Sequence, residues 1–234
     1  MTKKISEISV FFPAFNEEGN IENTVAKAKK VLAKVAQKWE IVIVDDGSTD
    51  KTPEIADKLA KNEKRIKVIH HKVNRGYGGG LQSGFYNSKY DWIVYNDADG
   101  QFDFAEIDKF IAVKDSAELL VGFRIKRQDA WHRLLFAKGW ALALFIFFGQ
   151  RLRDVDCGFK MVRKEVIKKI PKLESERGGM INAELAIKTK KAGFRIKQIG
   201  VHHYPRKAGR ATGAQFKVII KSFADLFKLW QKLR

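Results

Sequence analysis

Two short acidic clusters are placed to do chemistry. Asp45 and Asp46 follow the apolar run EIVIV, and Asp97 and Asp99 follow DWIVYN. Carboxylates at i and i+2 of a tight turn supply hard oxygen ligands, which suit Mg2+ or Mn2+, and a cation held there can grip phosphate oxygens. A lone D-x-D is usually a pair of solvated turn carboxylates. Here both clusters end runs that read as strands, and in a parallel sheet such ends face one crevice.

The other chemically able residues are weaker signals. The stretch Arg75-Gly76-Tyr77-Gly78-Gly79-Gly80 could bring backbone close to a phosphate. It lacks the GK[ST] of a Walker A loop and the spacing and first-strand position of a dinucleotide fingerprint, so its glycines are read as turn formers. His70–His71 and His202–His203 are not read as metal pairs, because strand neighbours point to opposite faces, and ordinary polar roles are expected for His70 and His71. Cys157 has no evident base partner and is read as packing, not as a nucleophile.

These residues must be positioned by the elements around them. Residues 7–13, 40–45, 66–70, 91–96 and 118–123 are short apolar runs, five buried strands by length. Ile21, Val25, Ala28, Leu32 and Val35 form a helical stripe after a candidate N-cap, Asn20; Thr52-Pro53 opens a second helix, and a third is expected after Gly80. Strand and helix alternate, which predicts an α/β fold with a mostly parallel sheet. The apolar run at 139–149 is too short to span a bilayer and reads as a core helix or one lying on a membrane surface. In 216–234, Phe216, Ile219, Ile220, Phe223, Leu226, Phe227, Trp230 and Leu233 recur at helical spacing among Lys217, Lys221, Lys228, Lys232 and Arg234. This basic amphipathic helix fits either a lipid interface or packing on the domain. The division expected is a catalytic domain over 1–210 and this helix over 211–234.

Composition narrows the classes. The 234 residues carry 45 Lys+Arg against 27 Asp+Glu, a formal charge of +18, so anionic partners are expected. A hydrophobic share of 45% permits a sizeable core and excludes a disordered chain. One cysteine leaves no disulfide framework, which with the absence of a signal-like apolar segment at the N-terminus points to a reducing, cytoplasmic setting. Nucleic-acid binding is motivated only by the charge, and the acidic crevice opposes it.

Several motifs together resemble a known family. PAFNEE at 13–18, VDDGSTD at 44–50, NRGYGGG at 74–80 and DADGQ at 97–101 are similar, in order and spacing, to family 2 glycosyltransferases of GT-A fold. DVDCGFKMVRKEV at 154–166, NAELAIKTKKAGFRIKQIGV at 182–201 and HHYPRKAGRATG at 202–213 resemble its polyprenyl-phosphate branch, which includes the dolichol-phosphate mannose synthases.

The resemblance implies roles residue by residue. Pro13, Phe15, Glu17, Ile43 and Asp45, with Asp46 beside them, would surround base and ribose; the family more often has Tyr where Phe15 stands. Asp97, Asp99 and Gln101 would hold the Mg2+ or Mn2+ that bridges the diphosphate, with Ala98 beside the sugar nucleotide. Arg124, Arg163, Arg206 and Arg210 would meet phosphate charge, which suits the guanidinium fork, and His203 could touch the diphosphate. The implied reaction is an inverting, metal-dependent transfer of a hexose from GDP-mannose or UDP-glucose to a polyprenyl phosphate at the cytoplasmic membrane face. The enzyme would sit on an anionic membrane surface or rely on a membrane-protein partner. The alternative acceptor is a saccharide, whose hydroxyl would need a base, with Asp156 and then Glu184 as candidates.

Overall fold

The computed structural model describes residues 4–125, 131–206 and 216–233. Arg210 and the expected boundary at 210/211 lie outside the described residues. The five apolar runs form β1 (Ile5–Ala14), β2 (Ala36–Asp45), β3 (Ile66–His70), β4 (Trp92–Asn96) and β5 (Leu119–Ile125). Two further strands, β6 (Phe159–Arg163) and β7 (Ile196–His202), complete a sheet of order β3-β2-β1-β4-β6-β5-β7. β6 runs antiparallel to both its neighbours, while all other pairs are parallel.

Helices cover both faces: α1 (Ile21–Val35), α2 (Thr52–Asn62), α3 (Tyr77–Asn87), α4 (Ile107–Ala112), α5 (Trp131–Phe148), α6 (Lys164–Lys169), α7 (Met180–Lys191) and α8 (Phe216–Leu233). α1 buries Ile21, Val25, Ala28 and Leu32, the stripe read from its spacing, although Asn20 does not cap it with its side chain. α3 begins at Tyr77, before the expected start, so the glycines lie inside its first turn.

Strand side chains alternate between two cores. Ile8, Val10, Phe12, Ile41, Ile43 and Val94 pack with α1 and α4 on one face. Phe11, Val42, Val44, Ile93 and Tyr95 pack with α3, α5, α6, α7 and α8 on the other. Each large apolar side chain fully buried there contributes about 1.5–3 kcal/mol. α3 lies so close to β1 that a Cβ at Gly84 would stand 2.1 Å from the Phe11 ring.

α5 is a core helix in part, burying Trp140 and Leu144, yet it leaves Leu142, Phe145 and Ile146 exposed. α8 buries Leu226 and Leu229, sets Phe223 edge-on to Trp140 at 5.2 Å between ring centroids, and leaves Phe227 exposed. Phe223, Leu226 and Leu229 therefore pack on the domain. Among the described residues no helix is long and apolar enough to cross a membrane.

Candidate active site

Parallel pairing brings the ends of β1, β2 and β4 to one edge of the sheet, with Ala14 opposite Asp45. The turns leaving β1 and β2 are joined there. Asn16 N donates to Ser48 Oγ, Thr49 N to Asn16 Oδ1, Glu17 N to Thr52 Oγ1, Glu18 N to Asp50 Oδ2 and Lys51 N to Glu18 Oε2. Asn16 adopts a φ of 55°, a left-handed turn that Asn tolerates. Much of PAFNEE and DDGSTD thus holds two loops together, and the side chain left facing the crevice from the first is Glu17.

The first acidic pair is enclosed. Asp45 Oδ1 accepts from Ser48 N at 3.1 Å, and Oδ2 lies 2.9 Å from His70 Nδ1. Asp46 accepts from Arg75 N at 2.9 Å and Gly76 N at 2.8 Å, and lies 2.6 Å from His71 Nδ1. Asp46 therefore fixes the glycine-rich segment instead of facing a donor. His70 and His71 take polar roles, and each serves one of these carboxylates. His70 also meets Asp57, and the Asp45 hydrogen bond holds its pKa above the usual histidine value.

The second pair is more open to chemistry. Asp97 accepts from Tyr77 Oη at 2.9 Å, and its N donates to Gly158 O. Burial and then the Asp99 carboxylate push Asp97 up to about 7, opposed by the Tyr77 hydroxyl and the charges of Lys160 and Arg124. Asp99 Oδ1 accepts from Gln101 N, while Oδ2 accepts from Arg206 Nη2 at 2.7 Å. Arg206 Nη1 donates to Glu17 Oε1 at 2.9 Å, and its Nε is buried without an acceptor among the described residues. Gln101 Nε2 donates to Tyr204 O, which pins the segment carrying Arg206 to the turn after β4. Ala98, between the two carboxylates, is buried and its carbonyl accepts from Thr24 Oγ1.

Among the described residues no three His, Cys, Asp or Glu side chains gather as a metal cluster. Two carboxylates on one turn nevertheless fit Mg2+ or Mn2+, which commonly take one or two protein carboxylates and complete their shell with water and substrate phosphate.

Other expected site residues fall at varying distance. Pro13 lies near the end of β1 beside Gly80, and the exposed Phe15 follows that strand. Ile43 is fully buried in the core facing α1, so its side chain cannot meet a base or ribose. Arg163 pairs with Trp92 at the start of β4, and its guanidinium stacks on that ring at 4.4 Å. Antiparallel β6 carries it to the edge opposite Asp97, away from any phosphate there. Arg124 forks onto Asp154, with Nε and Nη2 at 2.6 and 2.8 Å. His203 packs edge-on against Phe102 beside the Arg206 segment. Asp156 is exposed, its Oδ1 only 2.7 Å from where a Cβ at Gly179 would stand. Glu184 is fully enclosed, accepting from Glu174 N, Ser175 N and Lys188 Nζ, so it is structural and not a base. Cys157 is buried, and burial pushes its thiol up to about 12, against a nucleophilic role.

Tyr77 and Lys160 were not singled out from the sequence. Lys160 is buried on β6, where its ammonium donates to Tyr95 Oη, Cys157 O and Asn182 Oδ1; burial lowers its pKa to about 8. A lysine within a short apolar run was the available signal.

A family model described as glycosyl transferase family 2 matches residues 9–171. Glycosyltransferase AglD of Haloferax volcanii is 28% identical over 212 residues, covering 86% of this chain and 33% of AglD. Dolichyl-phosphate beta-glucosyltransferase of Saccharomyces cerevisiae is 31% identical over 222 residues, 83% of this chain and 66% of that protein. The chain thus spans a third of the first relative and 66% of the second. Glucosyl-3-phosphoglycerate synthase from Mycobacterium tuberculosis, in a crystal structure with Mn2+, UDP-glucose and phosphoglyceric acid, superposes with a TM-score of 0.72 at 20% identity. That likeness of fold covers 97% of this chain and 80% of the other.

Proposed function

The chain belongs to glycosyl transferase family 2, and from that premise we propose that it transfers a hexose from a sugar nucleotide to a polyprenyl phosphate, inverting the anomeric centre. The observation that carries this reading is Arg206 seated between Asp99 and Glu17 at the carboxyl edge of the sheet. Carboxylates for a cation and a guanidinium for phosphate meet there, the guanidinium reaching the turn after β4 from the segment that follows β7.

The bond from the anomeric carbon to the diphosphate breaks as the acceptor oxygen attacks from the opposite face, so negative charge grows on the leaving group. Asp97 and Asp99, with Gln101 beside them, would hold Mg2+ or Mn2+, which supplies charge neutralisation to the diphosphate when bound. Arg206, whose Nε has no acceptor among the described residues, would donate to the diphosphate, a preorganised site that needs no acid to protonate the leaving group. Glu17 and Asp45, with Pro13 and Phe15, line the nucleoside side. A lipid phosphate is already anionic at pH 7, so the acceptor side requires no base; Asp156 becomes a base candidate only for a saccharide acceptor.

The yeast relative, a dolichyl-phosphate glucosyltransferase, supports the acceptor class and glucose. UDP-glucose and Mn2+ in the mycobacterial synthase are in keeping with that donor and cation. Work at the cytoplasmic face of a membrane is supported by the exposed Leu142, Phe145, Ile146 and Phe227, and by the charge of +18.

The test combines purified protein, Mn2+, a short-chain polyprenyl phosphate and labelled UDP-glucose or GDP-mannose, and counts label extracted into organic solvent. Lipid-phase label that disappears with Asp99→Ala establishes the reaction and names the donor. Metal-dependent nucleotide binding with no labelled lipid from either donor rejects the lipid-phosphate acceptor and turns the search to saccharides.

A further inference from the structure

The glycine-rich segment carries a side chain that the reaction as described does not use. Tyr77 opens α3 and its hydroxyl donates to Asp97 Oδ1 at 2.9 Å. We propose that Tyr77 is a positioning residue for Asp97, and that the glycine-rich segment exists to deliver it. The inference rests on the reading of Asp97 as a cation ligand.

Backbone on both sides fixes the phenol. Ahead of it, Arg75 N and Gly76 N are held by Asp46. Behind it, Gly79 N donates to Glu176 O at 3.0 Å, and a Cβ at Gly78 would stand 2.1 Å from Ser175 O. Any other residue at 78 would lift this turn off the 175–176 loop and carry Tyr77 with it. Gly76 and Gly78 therefore serve a close approach to that loop.

The carboxylate is equally confined. A Cβ at Gly158 would lie 1.9 Å from Asp97 Oδ2, so the Gly158 backbone is a wall against one oxygen while Tyr77 holds the other. Phenol is a donor throughout the neutral range and fits an ionised carboxylate. The strongest charges acting on Asp97 are those of Asp99, Lys160 and Arg124, and none of them fixes the direction of Oδ1 as a hydrogen bond does. Outer hydrogen bonds of this kind orient metal-binding carboxylates, and their removal commonly costs about 10–100-fold in metal affinity or activity.

Tyr77→Phe removes one oxygen and keeps the ring. Mn2+ alone is titrated into wild type, Tyr77→Phe and Asp97→Ala, reading the free-ion electron paramagnetic resonance signal. Tyr77→Phe is expected to bind Mn2+ about 10–100-fold more weakly than wild type. In the transfer assay the Mn2+ concentration for half-maximal rate should rise by the same factor, with kcat at saturating Mn2+ recovered to within about twofold. Unfolding of part of the sample would lower kcat and leave the half-maximal concentration unmoved, and that pattern overturns the proposal, as does wild-type Mn2+ affinity in Tyr77→Phe. Wild type binding no better than Asp97→Ala would instead reject Asp97 as a cation ligand, and the proposal with it.

Discussion

Arg206 donates to Asp99 Oδ2 at 2.7 Å and to Glu17 Oε1 at 2.9 Å, so one guanidinium joins the ends of β4 and β1 through residues 107 and 189 positions away in sequence. Its side chain is only 22% exposed, and Glu17 and Asp99 less so, which makes this pair of contacts worth more than a surface ion pair. The arrangement balances two carboxylates that would otherwise repel. Its Nε is buried with no acceptor among the described residues, and on the proposed reading it is the donor left for a diphosphate.

Arg206→Ala removes both functions. Loss of one preorganised donor to a developing oxyanion typically costs about 10²–10³ in rate, and kcat/KM for the sugar nucleotide should fall by that order. Circular dichroism should stay at wild type, because the segment remains tied by Gln101 to Tyr204. Transfer within about threefold of wild type would remove Arg206 from the phosphate site.

The sequence speaks plainly where burial is two-sided. β1, β2 and β4 are apolar on both faces because helices cover both, so their runs are continuous and the carboxylates ending them could be placed. β6 escaped because its second residue is Lys160, buried by a polar network that no periodicity announces. The same strand misplaced Arg163. Motif order puts it near the phosphates, but register sets Asn96 against Phe159 and Trp92 against Arg163, so antiparallel pairing takes it to the far edge. His70 and His71 do point apart as strand neighbours should; Asp45 and Asp46 diverge in the same sense, and each imidazole meets one carboxylate. That pairing is a matter of register, invisible before β2 and β3 are aligned.

Metal binding should depend on pH through Asp97. Its pKa of about 7 in the folded chain lies above the value near 4 of an unfolded chain, so between those limits the native state holds a proton that the unfolded state has released. Without metal this group's contribution to stability therefore declines as pH rises from about 4 to about 7, then levels off. Mn2+ must displace the proton below pH 7, so its apparent affinity should fall by up to about tenfold per unit there. Melting temperatures with and without Mn2+ across that range check both signs: the Mn2+-induced rise should be larger at pH 8 than at pH 5.5, and equal rises would refute the assignment.

Membrane association should run through α5. Phe145 and Ile146 are 41% and 67% exposed, next to Leu142, and Arg151 stacks on the Phe145 ring at 5.0 Å. Burying two such side chains in an interface is worth about 1.5–3 kcal/mol each. Phe145→Ser with Ile146→Ser should lower co-sedimentation with anionic vesicles by at least about tenfold while nucleotide binding is kept. Undiminished sedimentation would point to charge alone, or to another surface.

Glu184 separates a structural carboxylate from a catalytic one. It is 1% exposed, and its three donors are Glu174 N and Ser175 N at 2.9 Å and Lys188 Nζ at 2.6 Å. Those bonds hold the loop on which Glu176 O receives Gly79 N, so Glu184 supports the glycine-rich turn from below. Truncation to Ala leaves the Lys188 ammonium buried with the Lys172 carbonyl as its acceptor among the described residues, and breaking such a pair costs about 3–5 kcal/mol. For a chain of this size that is a fall in melting temperature of roughly 6–20 °C. Glu184→Ala with Lys188→Met should recover much of the loss, because an apolar pair removes the uncompensated charge. A general base would behave otherwise: Glu184→Gln would melt near wild type and lose transfer by about 10²-fold or more, and the double variant would recover nothing.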